Sequence, residues 1–220
     1  MNLLIRYFNL KGLHLFIGVV LGNLLIIWLS KTLLINEVVF YNAYSEQLTY
    51  ERSLKLFEDL KKLSWISYVF SPIILLIRFS LISLVIYIGI ILSNIQTKIS
   101  LGSVFKVVIA SEIIFVIVGF VKFFWFFLFA GNYDLYDLGY FYPLSLINFF
   151  NRGEVSRIWI LPMQTVNLFQ LFYLLSISYG LNKVCFVNKP DSEKIVLFSY
   201  VPALVLWIVL IMFLTIDFLP

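Results

Sequence analysis

The stretch "SEIIFVIVGFVKFFWFFLFAG", residues 111–131, decides the class of this protein because it is almost entirely apolar. A helix rises 1.5 Å per residue, so roughly 20 apolar residues in a row predict a helix that crosses a bilayer. Two charged residues, Glu112 and Lys122, nevertheless lie inside the stretch. Charges at this depth are costly unless they face protein, water or each other. We therefore expect both side chains to face the interior of a helical bundle.

The composition of the whole chain agrees with this interpretation. Of 220 residues, 62% are hydrophobic and 13% are charged, and the mean hydropathy is +0.99. A soluble domain of this length needs more polar residues to cover its surface, so the lipid bilayer is the expected environment. The formal charge of +4 is spread along the chain, whereas nucleic-acid binding requires a concentrated basic face. No nucleic-acid partner is expected.

Five segments are long and apolar enough to be membrane spans. They are residues 13–34, 65–94, 104–130, 159–181 and 195–219. No small-x-small cleavage site follows the first, so we expect a retained signal anchor. The sequence predicts an all-α fold: a polytopic membrane helical bundle of about five transmembrane helices, plus a surface amphipathic helix, forming a single transmembrane domain over residues 1–220.

Basic residues in short connections predict the orientation of the chain. The N-terminal segment and the connections after the second and fourth spans contain Arg6, Lys11, Lys98, Lys183, Lys189 and Lys194. This pattern predicts a cytoplasmic N-terminus and a C-terminus outside. The many Ile, Asn, Lys and Phe residues are typical of an AT-rich genome, so a bacterial inner (cytoplasmic) membrane is the expected location.

The segment "YERSLKLFEDLKKL", residues 50–63, predicts the amphipathic helix. Leu56, Leu60 and Leu63 share one face of a helix and the charged residues lie opposite. Two interpretations stay open for it. It is either a helix that covers its own bundle or a docking helix for a partner, with Glu51, Lys55, Glu58 and Lys62 as the docking residues.

The connection "NYDLYDLGYFYPLSLINFFNRGEVSRIW", residues 132–159, is rich in tyrosine and phenylalanine. Aromatic residues favour the level of the lipid headgroups, so a short interfacial or re-entrant helix is expected here. Asp134 and Asp137 lie three residues apart, but no further ligand is in view, and we interpret them as solvated turn residues rather than a cation site.

A polar network is expected inside the bundle. At about 100° per residue, Glu112, Gly119 and Lys122 fall within an arc of about 80° on the third span. Arg78 on the second span differs from Glu112 in depth by about 10 Å, which a long arginine side chain partly bridges. Asn167 and Gln170 on the fourth span offer neutral hydrogen-bond partners.

The predicted intramembrane network is therefore Arg78, Glu112, Lys122, Asn167 and Gln170, and Gly119 would allow close helix packing. Two roles stay open for the network. It either fixes the packing of the helices or forms a site for a proton, an ion or a polar headgroup.

Catalytic motifs are missing from the sequence. It contains one histidine and one cysteine, which excludes an HExxH zinc site and a cysteine pair, and it has neither GxSxG nor GxGxxG. The sequence therefore predicts a protein that is not an enzyme, with no cofactor, no catalytic residue and no metal site. Cys185 is expected to be a buried small side chain.

The stretch "VNLFQLFYLLSISYGLNKVCFVNKPDSEKIVLFSYVPALVLWIVLI", residues 166–211, resembles the C-terminal half of bacterial Yip-like (Ypt-interacting-protein) membrane proteins. Residues 100–121, "SLGSVFKVVIASEIIFVIVGFV", are similar to an earlier segment of that family. The matching positions are Asn167, Phe169, Gly180, Leu181 and Lys183. At Gly180 a helix cap or a close helix contact is a sufficient physical role. The resemblance implies a non-catalytic five-span protein with a cytoplasmic N-terminus; eukaryotic relatives assist vesicle trafficking and bind Rab-type GTPases.

These observations favour a binding, scaffold or accessory subunit of a larger membrane assembly. Its expected partners are other membrane proteins or further copies of itself in a homo-oligomer. A small ion, proton or lipid transport component that uses the polar network is the alternative. A lipid-handling protein that uses the aromatic-rich residues 133–150 is a third interpretation.

Overall fold

The computed structural model describes residues 3–93 and 99–218, with side chains up to residue 215. These residues form an all-α fold without a strand, as predicted, and one isolated β-bridge joins Ser145 to Asn167. The helices are α1 (Leu3–Phe8), α2 (Gly12–Leu29), α3 (Glu37–Tyr44), α4 (Tyr50–Lys62), α5 (Trp65–Leu92), α6 (Leu101–Ser111), α7 (Ile113–Leu128), α8 (Leu135–Tyr140), α9 (Arg157–Thr165), α10 (Leu168–Val184) and α11 (Lys189–Phe218). A π-helical turn, Ser30–Leu34, extends α2, and two 3-10 turns are Leu146–Phe149 and Arg152–Glu154.

Four stretches of helix are long and apolar enough to cross a membrane, which confirms a multi-pass membrane protein. They are Gly12–Leu34, Trp65–Leu92, Leu101–Leu128 and Lys189–Thr215. Each overlaps a predicted span, namely 13–34, 65–94, 104–130 and 195–219. Asn94 and Leu219, at the predicted ends, lie outside the described residues.

The fourth predicted span, residues 159–181, is divided between α9 and α10. The chain is extended at Asn167, whose side chain accepts a hydrogen bond of 2.7 Å from the backbone N–H of Gln170 and so caps α10. An asparagine at a helix N-cap satisfies a backbone donor that the helix itself cannot. The division follows from this cap, which a hydropathy pattern does not reveal.

Helix α10 extends from the connection after α8 to the end of the bundle where α1 lies. Its first residue, Leu168, donates a backbone hydrogen bond of 3.2 Å to Leu144, in the connection that follows α8. Near its other end Gly180 packs against Phe8 and Val107, beside the start of the chain. Its 17 residues give a length of about 26 Å. It packs against α6, α7 and α11.

The central pass is the α6–α7 pair. Half of its most apolar 18-residue segment is buried inside the protein, whereas the corresponding share is 17–22% in the other three spanning stretches. Five residues of α6 are almost fully buried: Val104, Val107, Val108, Ile109 and Ala110. The α6 half of this pass therefore meets mainly protein rather than lipid, which suits the charge of Glu112 where α6 ends.

Close helix contacts occur at both glycines singled out in the sequence. A Cβ atom at Gly119 would lie 2.6 Å from Cδ1 of Ile26 on α2, and one at Gly180 would lie 2.5 Å from Cγ1 of Val107 and 2.7 Å from Cε1 of Phe8. Real Cβ atoms do not approach so closely, so the helices touch through these glycines. Equally close contacts, which the sequence did not suggest, are made by Gly22 and Gly89.

Helix α4 is the predicted amphipathic helix. Phe57 packs on Phe40 of α3, with 5.4 Å between the ring centroids. The leucine face, however, is exposed rather than turned onto the bundle: Leu56, Leu60 and Leu63. The proposed docking residues are exposed as well, namely Glu51, Lys55, Glu58 and Lys62. The exposed leucines and charged side chains of α4 are therefore free to contact lipid or another protein.

Candidate functional site

An ion pair between two spanning helices lies at the centre of the polar network. Arg78 is at the middle of α5, about 20 Å from either end, and its Nη2 atom is 3.4 Å from Oε1 of Glu112. The Glu112 side chain is only 2% exposed. The hydroxyl of Tyr173 on α10 donates a hydrogen bond of 2.9 Å to the same oxygen. Three helices thus meet at one buried carboxylate.

The backbone at this point is shaped by Glu112 and its neighbours. Helix α6 ends at Ser111 and α7 begins at Ile113, so the carboxylate projects from a short break between them. Ser176, one turn beyond Tyr173 on α10, donates a hydrogen bond of 3.0 Å to the Ser111 hydroxyl. Residues three apart share a helix face, so α10 presents its two hydroxyls together to the break.

The guanidinium of Arg78 has few partners within the protein. Its charge lies over the ring of Phe115, 4.8 Å from the ring centroid. The 3.4 Å contact with Glu112 is longer than an ordinary hydrogen bond, and the described residues accept no hydrogen bond from Arg78. An arginine carries five N–H donors. Most of them are therefore free, and the side chain is 42% exposed.

A cavity of about 620 Å³ lies beside this guanidinium, within the size range of small-molecule sites, roughly 300–1,000 Å³. It is bounded by α5, α9, α10 and α11, by Phe115 of α7, and by Tyr142 from the connection that follows α8. Its walls are mainly apolar side chains. The polar side chains that line it are Arg78, Tyr142, Gln164, Thr165, Asn167, Gln170 and Tyr200.

Part of the cavity lies between α5 and α11. They run antiparallel and touch where Gly89 meets Ser199, at which a Cβ on the glycine would lie 2.7 Å from the serine Cβ. Further along, Ile74 of α5 and Trp207 of α11 line the cavity between them. Pro202 inside α11 lacks an N–H, so it removes a helical hydrogen bond on this stretch. A proline of this kind is a common cause of helix bending.

The remaining predicted network residues have different positions. Gln170 donates a hydrogen bond of 2.9 Å to the hydroxyl of Tyr200, and Asn167 caps α10 at the cavity wall. Lys122 is not brought to the network. It lies about 15 Å along α7 from Glu112, and among the described residues it has neither an ion pair nor a side-chain hydrogen bond.

The sequence placed Glu112 and Gly119 within one arc of the third span, but in the structure the two residues face different helices. Gly119 contacts α2 through Ile26, whereas Glu112 contacts α5 and α10. The central pass packs against α2, α5 and α10, so an arc of about 80° spans more than one of these neighbours. Tyr173 and Tyr200 were missed, because tyrosines within apolar stretches resemble ordinary core residues. The regular spacing of Gln170, Tyr173 and Ser176 was the available signal.

The connection between α7 and α9 closes the cavity at one end. Gln164 donates hydrogen bonds to the carbonyls of Gly139 (2.7 Å) and Tyr140 (2.8 Å), and the backbone N–H of Leu146 donates to Val166. These bonds fix the connection against the break between α9 and α10. Burial raises the pKa of Tyr142 to about 12, so its hydroxyl keeps its proton beside the cavity.

Asp134 and Asp137 stabilise the same connection instead of pointing freely into solvent. Each side chain accepts a hydrogen bond from the other's backbone N–H, which caps α8, and Arg152 donates to both at 2.8 and 2.7 Å. Burial acts to raise the pKa of Asp134, but the hydrogen bonds from Asp137 and Arg152 outweigh it and hold the pKa below its ordinary value. These aspartates are therefore structural.

Other reactive groups are few. Within residues 3–93 and 99–218, no cluster of three or more histidine, cysteine, aspartate or glutamate residues could hold a metal ion. Cys185 is buried, and burial raises the pKa of its thiol to about 11. Since the thiolate is the reactive form, this cysteine is inert at neutral pH.

Comparison with protein-family models, with curated proteins and with solved structures gave no match. The resemblance to Yip-like proteins therefore stays a prediction that rests on the residues quoted for it. The function proposed for this protein therefore rests on the cavity and its polar side chains.

Proposed function

We propose that this protein is a non-catalytic membrane protein that binds a membrane amphiphile in the cavity between α5, α9, α10 and α11. One observation carries the proposal: a cavity of about 620 Å³ among spanning helices has mainly apolar walls and a set of polar side chains. An amphiphile has a matching division, with a hydrocarbon chain and a polar group. This is the lipid form of the alternative that the sequence left open.

Access from the bilayer supports the same ligand class. Ile74, Ile77 and Leu81 line the cavity and also belong to the exposed apolar surface of α5. On a spanning helix this surface meets lipid. A membrane lipid would therefore enter sideways between α5 and α11, without passing through water.

Filling the cavity tests this proposal. In Ala203→Phe a phenyl ring is added to a residue that lines the cavity, and we expect most of the bound amphiphile to be lost. Val205→Phe is the matched control, because Val205 is exposed and does not line the cavity. Each variant is purified in mild detergent, and bound lipid is measured by native mass spectrometry together with the thermal midpoint. Equal lipid retention in Ala203→Phe and Val205→Phe would contradict the proposal.

A role as an accessory subunit is the second candidate, and the exposed leucines and exposed charged side chains of α4 favour it. Reversing two charges on this helix, Lys55→Glu with Lys62→Glu, is expected to release a bound protein partner. The control reverses Lys183 and Lys194, which lie at the other end of the bundle. Affinity purification in mild detergent, followed by mass spectrometry, measures the partner. Retention of the same partner by both double variants, or release of a second copy of this chain, would rule out a hetero-complex through α4.

An ion or proton path has less support from the geometry. Glu112 is 2% exposed, and its carboxylate is already engaged by Arg78 and Tyr173. It is not among the described residues that line the cavity. The network therefore supports a packing role for Glu112 and a ligand role for the other side of Arg78.

We also propose that the end of the bundle near the N-terminus is cytoplasmic. The described basic residues at this end are Arg6, Lys11, Lys106, Lys183, Lys189 and Lys194, against two acidic residues, Asp191 and Glu193. The other end has bases and acids in similar number. Short cytoplasmic connections are enriched in Lys and Arg, which would place the C-terminus outside. Lys98 also supported this prediction but lies outside the described residues.

A further inference from the structure

We infer that the polar group of the bound amphiphile is an anion, a phosphate or a carboxylate, which docks on the guanidinium of Arg78. The inference rests on the proposed function and names the ligand class of the same cavity. It goes beyond a general lipid site, because a neutral or zwitterionic polar group would satisfy Arg78 less well.

Most N–H donors of Arg78 are free to bind an anion. Phe115 covers one face of the guanidinium and Glu112 approaches one nitrogen at 3.4 Å. Arg78 also lines the cavity. A guanidinium fits phosphate and carboxylate oxygens with two parallel hydrogen bonds. The described residues supply no such acceptor inside the cavity.

The charges around the cavity also favour an anionic ligand. Among the described residues that line it, Arg78 is the only charged one, and Glu112 is buried behind it. The start of the 17-residue helix α10 is also at the wall, where Asn167 caps it. The first turn of a helix carries a partial positive charge. The polar part of the cavity therefore favours an anion over a cation.

Neutral donors complete the polar part. Gln170 donates to the oxygen of Tyr200 at 2.9 Å, which leaves the Tyr200 O–H free to donate in turn. The protonated hydroxyl of Tyr142 also lines the cavity. An anionic headgroup has several acceptor oxygens, so it can engage these hydroxyls together with Arg78.

The ion pair with Glu112 stabilises Arg78 when no ligand is bound. With Glu112 beside it, Arg78 is not an isolated charge at membrane depth. A ligand on the other nitrogens of the guanidinium leaves Glu112 both its contact with Arg78 and its 2.9 Å hydrogen bond from Tyr173. The carboxylate therefore keeps its partners whether or not a ligand is bound.

The test compares two lipids with identical acyl chains on the full-length protein. Phosphatidylglycerol is anionic and phosphatidylcholine is zwitterionic, and native mass spectrometry measures the binding of each. A charge-assisted pair of hydrogen bonds predicts that phosphatidylglycerol binds about tenfold more tightly or better. In the double variant Arg78→Gln with Glu112→Gln, which leaves no unpaired buried charge, this ratio should fall towards one. Arg78→Lys, a point charge without the fork, should give an intermediate ratio.

The other outcomes separate the two proposals. Equal affinity for both lipids, with binding still blocked by Ala203→Phe, would overturn the anionic ligand and leave the cavity as a lipid site. Binding that Ala203→Phe does not alter would overturn the lipid site itself. Inorganic phosphate is the remaining probe. If phosphate alone binds the protein as tightly as phosphatidylglycerol does, the acyl chains add no affinity, the ligand is a free anion and the amphiphile is overturned.

Discussion

Replacement of Glu112 by alanine is expected to lower the free energy of unfolding by about 3–5 kcal/mol, the usual cost of removing one partner of a buried ion pair. Arg78 would then lack its counter-charge at the middle of α5, and the fully buried Tyr173 hydroxyl would lose its acceptor. The measurement is thermal or denaturant unfolding of the purified protein in mild detergent.

Two further variants identify the cause of this loss. Glu112→Gln keeps an oxygen that can accept from Tyr173 but removes the charge, so it should cost less than alanine. Combining Glu112→Leu with Arg78→Leu removes both charges and should restore part of the stability lost by Glu112→Ala. An alanine variant as stable as the parent would show that the network contributes nothing to the packing of the bundle.

Gly180→Leu is expected to prevent the native packing of α10, or to lower stability by at least about 3 kcal/mol, since overfilling a packed core costs about 1–3 kcal/mol even for smaller additions. The first added carbon alone would lie 2.5 Å from Val107 and 2.7 Å from Phe8. Both neighbours are buried, at 0% and 3% exposure, so neither has space to move. Yield of monodisperse protein and the thermal midpoint measure the effect.

The matched control for this substitution is Gly18→Leu. Gly18 is also a helical glycine of a spanning stretch, but a Cβ there meets no atom within 4 Å. Leucine at this position should face lipid and leave stability nearly unchanged. If both variants behave alike, the effect at residue 180 comes from the general loss of a glycine rather than from contact with α1 and α6.

Most of the secondary structure follows from the sequence, because hydrocarbon leaves the backbone no partner other than itself. A long apolar stretch in lipid must satisfy its own N–H and C=O groups, and a helix does so within one segment. The starts of α2 and α5, at Gly12 and Trp65, differ from the predicted ones by at most one residue. The amphipathic helix α4 followed from the periodicity of its leucines.

The division at Asn167 shows where hydropathy fails. The stretch around it is apolar enough for one span, yet a single side-chain hydrogen bond to Gln170 begins a new helix. At this break Val166 accepts a backbone hydrogen bond from Leu146 and Leu168 donates one to Leu144, and the break forms one wall of the cavity. Such a cap contributes on the order of 1 kcal/mol, too little to register in an average over twenty residues.

By itself, the sequence determined that this protein is a helical membrane protein, and that Arg78 and Glu112 lie within its spans. Burial in lipid depends on composition and length, which are properties of each segment alone. Only the tertiary structure decided that Arg78 meets Glu112, that Lys122 stands apart, and that a cavity opens between α5 and α11. Those features depend on how helices pack against each other, and in lipid that packing is set by local shape at residues such as Gly89 and Gly119.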